Sequence, residues 1–188
     1  MRGCTIPPMD TGQLTITALV TNLIEREGGY VDHPDDRGGP TNYGVTQKTL
    51  SDYRGEACTA EDVKALTLAE ATGVYRELYW IKSKFNTLGL HPVLVEMVFD
   101  AGVHHGTHRA TKLLQTAAGV KADGHIGAMT LDAIEETPFS VLGARFMATR
   151  VKYIGRLITR LPNQAVFAAG WSVRMAEFIE KIPKLGSL

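Results

Sequence analysis

Two acidic residues, Glu27 and Asp36, have the sequence surroundings that acid–base chemistry needs. Gly28 and Gly29 are expected to stop a helix directly after Glu27. The negative end of the helix dipole and any burial under the following loop both favour a raised pKa for the Glu27 carboxyl group, whereas Asp36, in a loop of glycine and polar residues, should stay ionised. A carboxylic acid near a carboxylate is the arrangement used to cleave glycosidic bonds. The alternative is that Glu27 is a solvated charge and that Asp35 and Asp36 only form turns.

A helix and the loop after it must position these residues. Apolar residues at the 3, 4, 7, 8 spacing of one helical face indicate the helix: Ile16, Leu19, Val20, Leu23 and Ile24. The stretch from Tyr30 to Val45 is too rich in Gly, Pro and Asp to be helical, and it predicts a turn-rich hairpin or loop folded back over the helix end. Glu27 would then face a loop that carries the aspartates, Thr41 and Tyr43.

Four short segments of this stretch carry a family resemblance: Glu27-Gly-Gly-Tyr30, Pro34-Asp-Asp36, Gly38-Gly39 and Thr41-Asn-Tyr-Gly-Val45. Together they resemble glycoside hydrolase family 108, the N-acetylmuramidases found mainly as phage endolysins. The order of Glu, Asp and Thr is also similar to the constellation of the phage lysozymes. The resemblance implies that Glu27 is the catalytic acid and that Asp36, with Thr41, positions or activates a water. Asp35 is the substitute if the loop folds differently.

The same interpretation predicts a set of substrate-binding residues, namely Tyr30, Asn42, Tyr43, Gly44 and Trp80. Gly44, like Gly38 and Gly39, permits the backbone turns of the loop. Trp80 belongs with Tyr75 and Tyr79 to the largest aromatic group of the chain. Core packing is expected for most of this group, and a muramidase cleft needs aromatic faces for sugar rings, which makes Trp80 or Tyr79 a candidate to line it.

The rest of the chain predicts helices. Thr46 caps one that runs through Tyr53. The capping-box pattern Thr67-Leu-Ala-Glu70 opens another that runs to about Trp80. The apolar side of this second helix is expected to be Leu68, Val74, Leu78 and Ile81. Pro92 begins a strongly apolar and central helix that ends at 104–106. Further helices are predicted at 107–119, 128–136, 139–160 and 164–181.

A second, scattered resemblance covers most of residues 90 to 178. Its residues are 99–106, Leu114, Gln115, 123–127, Thr130, Gly170, Trp171 and Arg174. They are similar to the predicted peptidoglycan-binding module that commonly follows the family 108 segment, although His104 stands where that pattern usually has Asn. Because no linker separates the halves, we predict one lysozyme-like α+β domain over 1–188, mainly α, bundled around the central apolar helix. Residues 11–88 would be its catalytic segment and 89–182 a helical segment packed into the same body.

Charge is distributed unevenly along the 188 residues, although the net charge is zero. Residues 1–80 hold 7 Lys+Arg against 12 Asp+Glu, or −5, and residues 81–188 hold 13 against 8, or +5. Six cations occur with no acidic residue between Ser140 and Ala176: Arg145, Arg150, Lys152, Arg156, Arg160 and Arg174. Such a patch suits an anionic polymer, whether cell wall, lipopolysaccharide or nucleic acid. The interpretation adopted is peptidoglycan and anionic envelope polymers, with no nucleic acid.

Cysteine usage and the N-terminal sequence indicate a reducing compartment. Cys4 and Cys58 are the two cysteines, which implies no disulfide framework. No signal peptide is visible, and the apolar residues from Leu14 to Ile24 are too interrupted to span a membrane. We therefore expect a monomer without a transmembrane segment that stays in the host cytoplasm before lysis. A holin-like partner would release it to the peptidoglycan.

Histidines offer an alternative from another chemical class. Asp100, His104 and His108 recur every four residues, with His105 and His125 nearby, and could form a zinc site of a peptidoglycan amidase or peptidase. A helix break at Gly106 would spoil that register, and no HExxH or CxxC motif accompanies it. A non-catalytic wall-binding protein is a third hypothesis. The interpretation adopted is an N-acetylmuramidase that needs no metal or other cofactor.

Overall fold

The computed structural model describes residues 16–21, 23–24, 29–31 and 39–182. Within these ranges the protein is mainly helical and has a small two-stranded sheet, which confirms the predicted fold class. The chain divides into two compact units, Met1–Lys82 and Ser83–Leu188. Glu27, Asp35, Asp36 and Gly38 lie outside the described residues.

The first unit contains a short hairpin and several helices in its described part. Helix α1 comprises residues 16–21 and 23–24. It is followed by β1 (Thr41–Asn42), β2 (Val45–Thr46), α2 (Gln47–Arg54), α3 (Ala60–Lys64), α4 (Leu68–Val74) and a π-helix (Tyr75–Ile81). Ile16, Leu19, Val20 and Leu23 are buried, which confirms the apolar face predicted for α1.

Threonine side chains begin α2, α3 and α4. Thr46 accepts a hydrogen bond from the Thr49 N–H, and Thr67 accepts one from the Glu70 N–H, as the sequence predicted. Helix α3 was not predicted, yet it has the more complete cap. The Thr59 hydroxyl accepts from the Asp62 N–H, and the Asp62 carboxylate accepts from the Thr59 N–H at 2.7 Å.

The helix predicted to run from Leu68 to Trp80 changes type part-way. It is α-helical to Val74 and continues as a π-helix, in which each turn holds more residues than an α-turn. The wider turn rotates Ile81 away from the predicted face, whereas Leu68 lies in the first turn of the α-helical part. The assignment of both residues to the apolar side is wrong. These two side chains are exposed, and the buried residues of the segment are Ala71, Val74, Tyr75 and Trp80.

The second unit is built on α5, Pro92–His105. A 3₁₀-helix (Phe85–Thr87) precedes it, and α6 (Thr107–Ala118), α7 (Ala128–Glu135), α8 (Phe139–Arg160), a second 3₁₀-helix (Pro162–Phe167) and α9 (Ala168–Glu180) follow. Every residue of α5 from Met97 to Gly102 is buried, which confirms the predicted central helix. Gly106 ends it at φ 82°, a backbone conformation that favours glycine.

The last predicted helix begins later than expected. Pro162 has no N–H to continue α8, and residues 162–167 form 3₁₀ turns instead of the first turns of the predicted 164–181 helix. None of those six residues is buried, so no core contact selects the α-helical register there. In the described part of the chain, no helix is both long and apolar enough to cross a membrane.

Candidate functional site

The hairpin at the centre of the motif is a tight two-residue turn. Asn42 pairs with Val45, and Thr41 with Thr46, in antiparallel register. Tyr43 and Gly44 form the turn with φ of 52° and 74°, the two positive values of a type I′ turn, which matches the twist of the strands. Val31 adds a bridge on the other side of Thr41, with both backbone hydrogen bonds at 2.8 Å. Thr41 is therefore fixed between two neighbouring backbone segments.

Two side chains anchor this hairpin to the helices of its unit. The buried Asn42 amide donates to the carbonyls of Val63, Lys64 and Leu66 at 3.1, 3.3 and 3.5 Å. From the π-helix, the Tyr75 hydroxyl donates to the Tyr43 carbonyl at 3.0 Å. The first anchor satisfies carbonyl groups at the end of α3, and the second holds the turn itself. The hairpin that carries Thr41 is thus pre-positioned by residues far away in sequence.

The predicted hairpin residues have different roles in the fold. The half-buried Thr41 hydroxyl donates to the Gly39 carbonyl at 3.3 Å. The Asn42 amide nitrogen points to three backbone carbonyls, so the fold already uses the group that a sugar contact would need. Tyr43 is half-buried at the turn, and Gly44 supplies the second positive φ. The substrate contacts of these four residues stay predictions.

The two predicted aromatic contacts outside the hairpin differ in exposure. The Tyr30 side chain is 36% exposed, and Lys64 Nζ lies 5.9 Å from the centre of its ring. Trp80 is only 7% exposed and belongs to the core of the first unit. Tyr79 packs against Tyr75 with ring centroids 5.5 Å apart, and burial raises the pKa of its hydroxyl group. Tyr30 therefore offers the more accessible ring for a sugar.

The predicted acid and base lie outside the described residues, and so does the substitute base, Asp35. On either side of Glu27, the helical residue Ile24 and the bend at Gly29 are described. The segment that follows Asp36 is described from Gly39 onward. The roles of Glu27 and Asp36 therefore remain predictions.

Gln115 connects the scattered motif residues of the second unit. Its buried amide nitrogen donates to the Asp123 carboxylate, the His125 carbonyl and the Thr130 hydroxyl at 2.9, 3.0 and 3.1 Å. Its carbonyl oxygen accepts from the Gly124 N–H at 2.8 Å. The four contacts tie the 120–127 loop to α6 and α7. They give this part of the motif a structural explanation.

Asp100 on α5, a candidate zinc ligand in the alternative reading, is held by two arginines. Its Oδ2 lies 2.7 Å from Arg150 Nη1, and its Oδ1 lies 3.0 Å from Arg174 Nη1. Arg174 also contacts the ring of His104. Burial raises the pKa of the Asp100 carboxyl group, but Arg150, His104 and Arg174 outweigh burial and hold that pKa below its ordinary value. Asp100 is therefore the shared counter-ion of a buried cluster.

The four-residue spacing of the candidate zinc ligands is interrupted at Gly106, as the sequence predicted. His108 lies on α6, beyond the break at Gly106, and its ring packs against Gly124 and His125. Among the residues that the structure describes, no group of three or more His, Cys, Asp or Glu side chains could hold one metal ion. The alternative thus has no ligand set in this part of the chain.

Comparisons with known proteins place both motifs in families. The family described as Glycosyl hydrolase 108 matches residues 20–106, and the one described as Predicted Peptidoglycan domain matches residues 109–176. Among solved structures, SagA of Brucella abortus is 33% identical, with a TM-score of 0.79 over 94% of this chain and 99% of that chain. The chain belongs to the glycosyl hydrolase 108 family. No curated protein matches it.

Membership of the glycosyl hydrolase 108 family confirms the resemblance in both halves and the lysozyme-like, mainly α fold class. The protein is a glycoside hydrolase that acts on peptidoglycan. The family 108 match extends through α5, whereas α5 packs with α6 in the second unit. The peptidoglycan segment thus uses a helix of the hydrolase segment as its central core helix.

The basic patch of this family 108 protein is smaller than the sequence indicated. Arg150 is 1% exposed, and the Arg174 side chain is 15% exposed, because both pair with Asp100. The prediction that Arg150 and Arg174 belong to a basic surface patch is wrong. Arg145, Lys152, Arg156 and Arg160 are exposed on α8, and their spacing of four or seven residues places them on one helical face. These four residues are called the basic face below.

The Asn42 anchor can be tested by its removal. Asn42→Ala leaves the carbonyls of Val63, Lys64 and Leu66 without their amide donor, so we expect the free energy of unfolding to fall by about 1–3 kcal/mol. Urea unfolding measures it. Asn86→Ala, at an exposed position, is the control and should change stability by less than about 0.5 kcal/mol. Equal stability of the two variants would mean that the three contacts do not hold the hairpin.

Proposed function

We propose that this protein is an N-acetylmuramidase, which hydrolyses the β-1,4 bond between N-acetylmuramic acid and N-acetylglucosamine. The observation that carries the proposal is the anchored hairpin at residues 41–46, which lies inside the family 108 segment and holds Thr41 in a fixed backbone position. A pre-positioned polar group is what a catalytic site requires, because its orientation is then settled before substrate arrives.

Three residues have roles in the proposed reaction. Glu27 donates its proton to the glycosidic oxygen as the bond to C1 of the muramic acid breaks. Asp36, with the Thr41 hydroxyl, positions or activates the water whose oxygen forms the new bond to C1. The proton of that water passes to the Asp36 carboxylate, so Glu27 ends ionised, Asp36 ends protonated, and atoms and charge balance. Tyr30 and Tyr43 are proposed to contact the sugars beside the scissile bond.

The ends of the released fragments test the bond assignment. Purified peptidoglycan is digested with the full chain, and the fragments are identified by mass spectrometry after borohydride reduction. Reduced muramic acid at the new ends is the expected product. Reduced glucosamine ends would identify a glucosaminidase, anhydro ends a lytic transglycosylase, and free stem peptides an amidase. Each of these three results contradicts the proposal. A parallel digestion with EDTA should give the same products at the same rate.

The biological role proposed is that of a phage or prophage endolysin, to which the motif bears its resemblance. In this role the protein accumulates in the host cytoplasm and reaches the wall when a holin-like partner opens the inner membrane. The test is inducible expression in a bacterial host, with and without a pore-forming phage holin. Culture turbidity should collapse only in the co-expressing cells. Rapid lysis without the holin would contradict this route.

The basic face is proposed to attract the anionic cell envelope. The exposed charges of Arg145, Lys152, Arg156 and Arg160 are screened by salt, with a Debye length of about 8 Å at physiological ionic strength. Killing of intact cells should therefore fall as salt rises, and hydrolysis of purified walls should depend on salt less.

Replacing Lys152, Arg156 and Arg160 by glutamine should flatten the salt dependence of killing. The same change at the exposed Lys82, Lys84 and Lys121 is the matched control. Equal salt profiles of the two triple variants would remove the basic face from envelope binding.

A further inference from the structure

Four aromatic rings form a row on the surface of the second unit. His105, at the end of α5, lies between Tyr153 of α8 and Trp171 of α9, with ring centroids 5.1 and 6.4 Å apart. Phe167 extends the row beyond Trp171 at 5.8 Å. At the other end, the Arg109 guanidinium of α6 lies 5.2 Å from the centre of the Tyr153 ring. These five residues are called the aromatic row.

The aromatic row is accessible from solvent. Phe167 is 53% exposed, Arg109 is exposed, and His105, Tyr153 and Trp171 are half-buried. The core of the unit uses other aromatic residues, because Phe99, Phe146 and Phe178 are each at most 2% exposed. Partly exposed rings in contact across several elements form a surface that the flat, apolar face of a ligand can cover.

The buried cluster behind the aromatic row fixes its central ring. Arg150 Nε donates to His105 Nε2 at 3.4 Å, and the same arginine is held by Asp100. Burial, with the neighbouring Arg150, lowers the pKa of His105 to about 3, so its ring stays uncharged at neutral pH. The row therefore presents neutral rings in a fixed order, with one cation at its end. A surface prepared in this way loses little freedom when a ligand binds.

The charge around the row favours an anionic ligand. No acidic residue occurs in residues 137–176, which include Tyr153, Phe167 and Trp171. Arg109 adds an exposed cation beside Tyr153. Aromatic faces suit the apolar faces of sugar rings, and a guanidinium suits a carboxylate. Peptide-free glycan strands of peptidoglycan combine both features, since the lactyl carboxyl group of N-acetylmuramic acid is a free carboxylate where the stem peptide has been removed, whereas it forms the amide bond to the peptide elsewhere.

We propose that the aromatic row is a binding site for the glycan strand of peptidoglycan. Sugar rings stack on Trp171 and Tyr153, and Arg109 pairs with a carboxylate of the strand. The inference rests on the proposed function for its choice of polymer. The match of residues 109–176 to a peptidoglycan domain favours glycan over single-stranded nucleic acid, the other polymer that combines stacking with negative charge. Arg109, Tyr153, Phe167 and Trp171 all lie within that match.

Binding of the full chain to peptide-free glycan strands tests the site. The strands are prepared from sacculi with an amidase, and binding is measured in the cold in a Glu27→Gln background. Trp171→Leu should raise the dissociation constant at least about ten-fold, whereas Trp171→Phe, which keeps an aromatic face, should stay within about three-fold of its parent. Arg109→Gln should weaken binding to the peptide-free strands, whose lactyl carboxylates are free, more than binding to intact sacculi, in which most of these groups are amide-linked to stem peptides. Met129→Ala, at a 70% exposed position of α7, is the control.

Circular dichroism and thermal melting establish that each variant is folded, and Arg109, being exposed, provides a variant that cannot fail through core damage. Unchanged binding in folded Trp171→Leu and in Arg109→Gln overturns the site. So does a parent that binds sacculi but not peptide-free strands, or one that binds single-stranded DNA more tightly than glycan. Fragment ends report on cleavage and this assay reports on binding, so the two proposals fail separately. If the fragments end in muramic acid but Trp171→Leu still binds strands as tightly as its parent, only the proposed binding site at the aromatic row is overturned.

Discussion

Glu27→Gln is expected to remove nearly all hydrolysis of purified peptidoglycan while the protein stays folded and still binds the wall. Glutamine keeps the size and hydrogen-bonding capacity of the side chain but has no proton to transfer. General acid catalysis typically contributes about 10² to 10⁴ in rate, so a loss of at least that order is required. The measurement is the rate at which new reducing ends appear, since the product analysis identifies those ends independently.

Neighbouring aspartates provide a matched comparison for the second role. Asp36→Asn should be nearly as severe as Glu27→Gln, whereas Asp35→Asn, one residue away and with the same change of charge, should be mild. A reversed order would make Asp35 the group that acts on water. A Glu27→Gln protein with unchanged circular dichroism and more than about a tenth of the wild-type rate would refute the acid assignment. The hypothesis of a non-catalytic wall-binding protein would then be favoured.

The helices that the sequence located well are those with local boundary signals. Thr46 as a cap, Pro92 in a first turn and Gly106 at a helix end act on their own neighbours, and the structure places all three as predicted. The π-helix after Val74 has no such signal. Its register depends on the burial of Tyr75 and Trp80, which is decided by packing with other elements. Tertiary contacts of this kind override a pattern read from one segment.

For the candidate site, the sequence located the hairpin but not what holds it. The Asn42 amide reaches carbonyls 21 to 24 residues away, and the Tyr75 hydroxyl reaches a carbonyl 32 residues away. Contacts over such distances leave no periodic pattern. The sequence predicts Asn42 as a sugar contact and places Tyr75 in an aromatic group, and neither pattern indicates that both residues anchor the hairpin.

The sequence around Arg150 contains a signal for burial, namely its position on an apolar helical face. The charge of the side chain favours an exposed position, yet position 150 falls on the helical stripe of α8 formed by Leu142, Phe146, Met147 and Ile154, all of which are buried. A cation on such a stripe requires a buried anion, because an unpaired charge is too costly to bury. Asp100, in the apolar centre of α5, is the matching anion. A buried charge pair can thus be inferred when both members interrupt apolar faces.

The second large expected effect follows from this pair. Asp100→Asn should lower the free energy of unfolding of the second unit by about 3–5 kcal/mol, because Arg150 then stays buried without its counter-ion. Trp171 fluorescence during urea unfolding reports on this unit, and Trp80 lies in the first. Asp132→Asn, which changes the same charge at an exposed position of α7, is the control and should change stability by less than about 0.5 kcal/mol.

Adding Arg150→Met to Asp100→Asn removes the stranded charge and should recover part of the lost stability, whereas independent sites would only add their losses.

The pH dependence of stability tests whether Asp100 acts through its charge. Asp100 and His105 both have pKa values below their ordinary 3.8 and 6.5, so the unfolded chain binds more protons than the folded one as pH falls. The stability from His105 is present above about pH 6.5 and is lost progressively toward its folded pKa of about 3. The contribution of Asp100 is present above about pH 3.8 and is lost below that. Asp100→Asn should therefore be less stable than wild type at neutral pH and approach it below pH 3.8, since protonation discharges Asp100 in the wild type as well. A stability gap that is as large in acid as at neutral pH would show that Asp100 acts through packing and not through its charge.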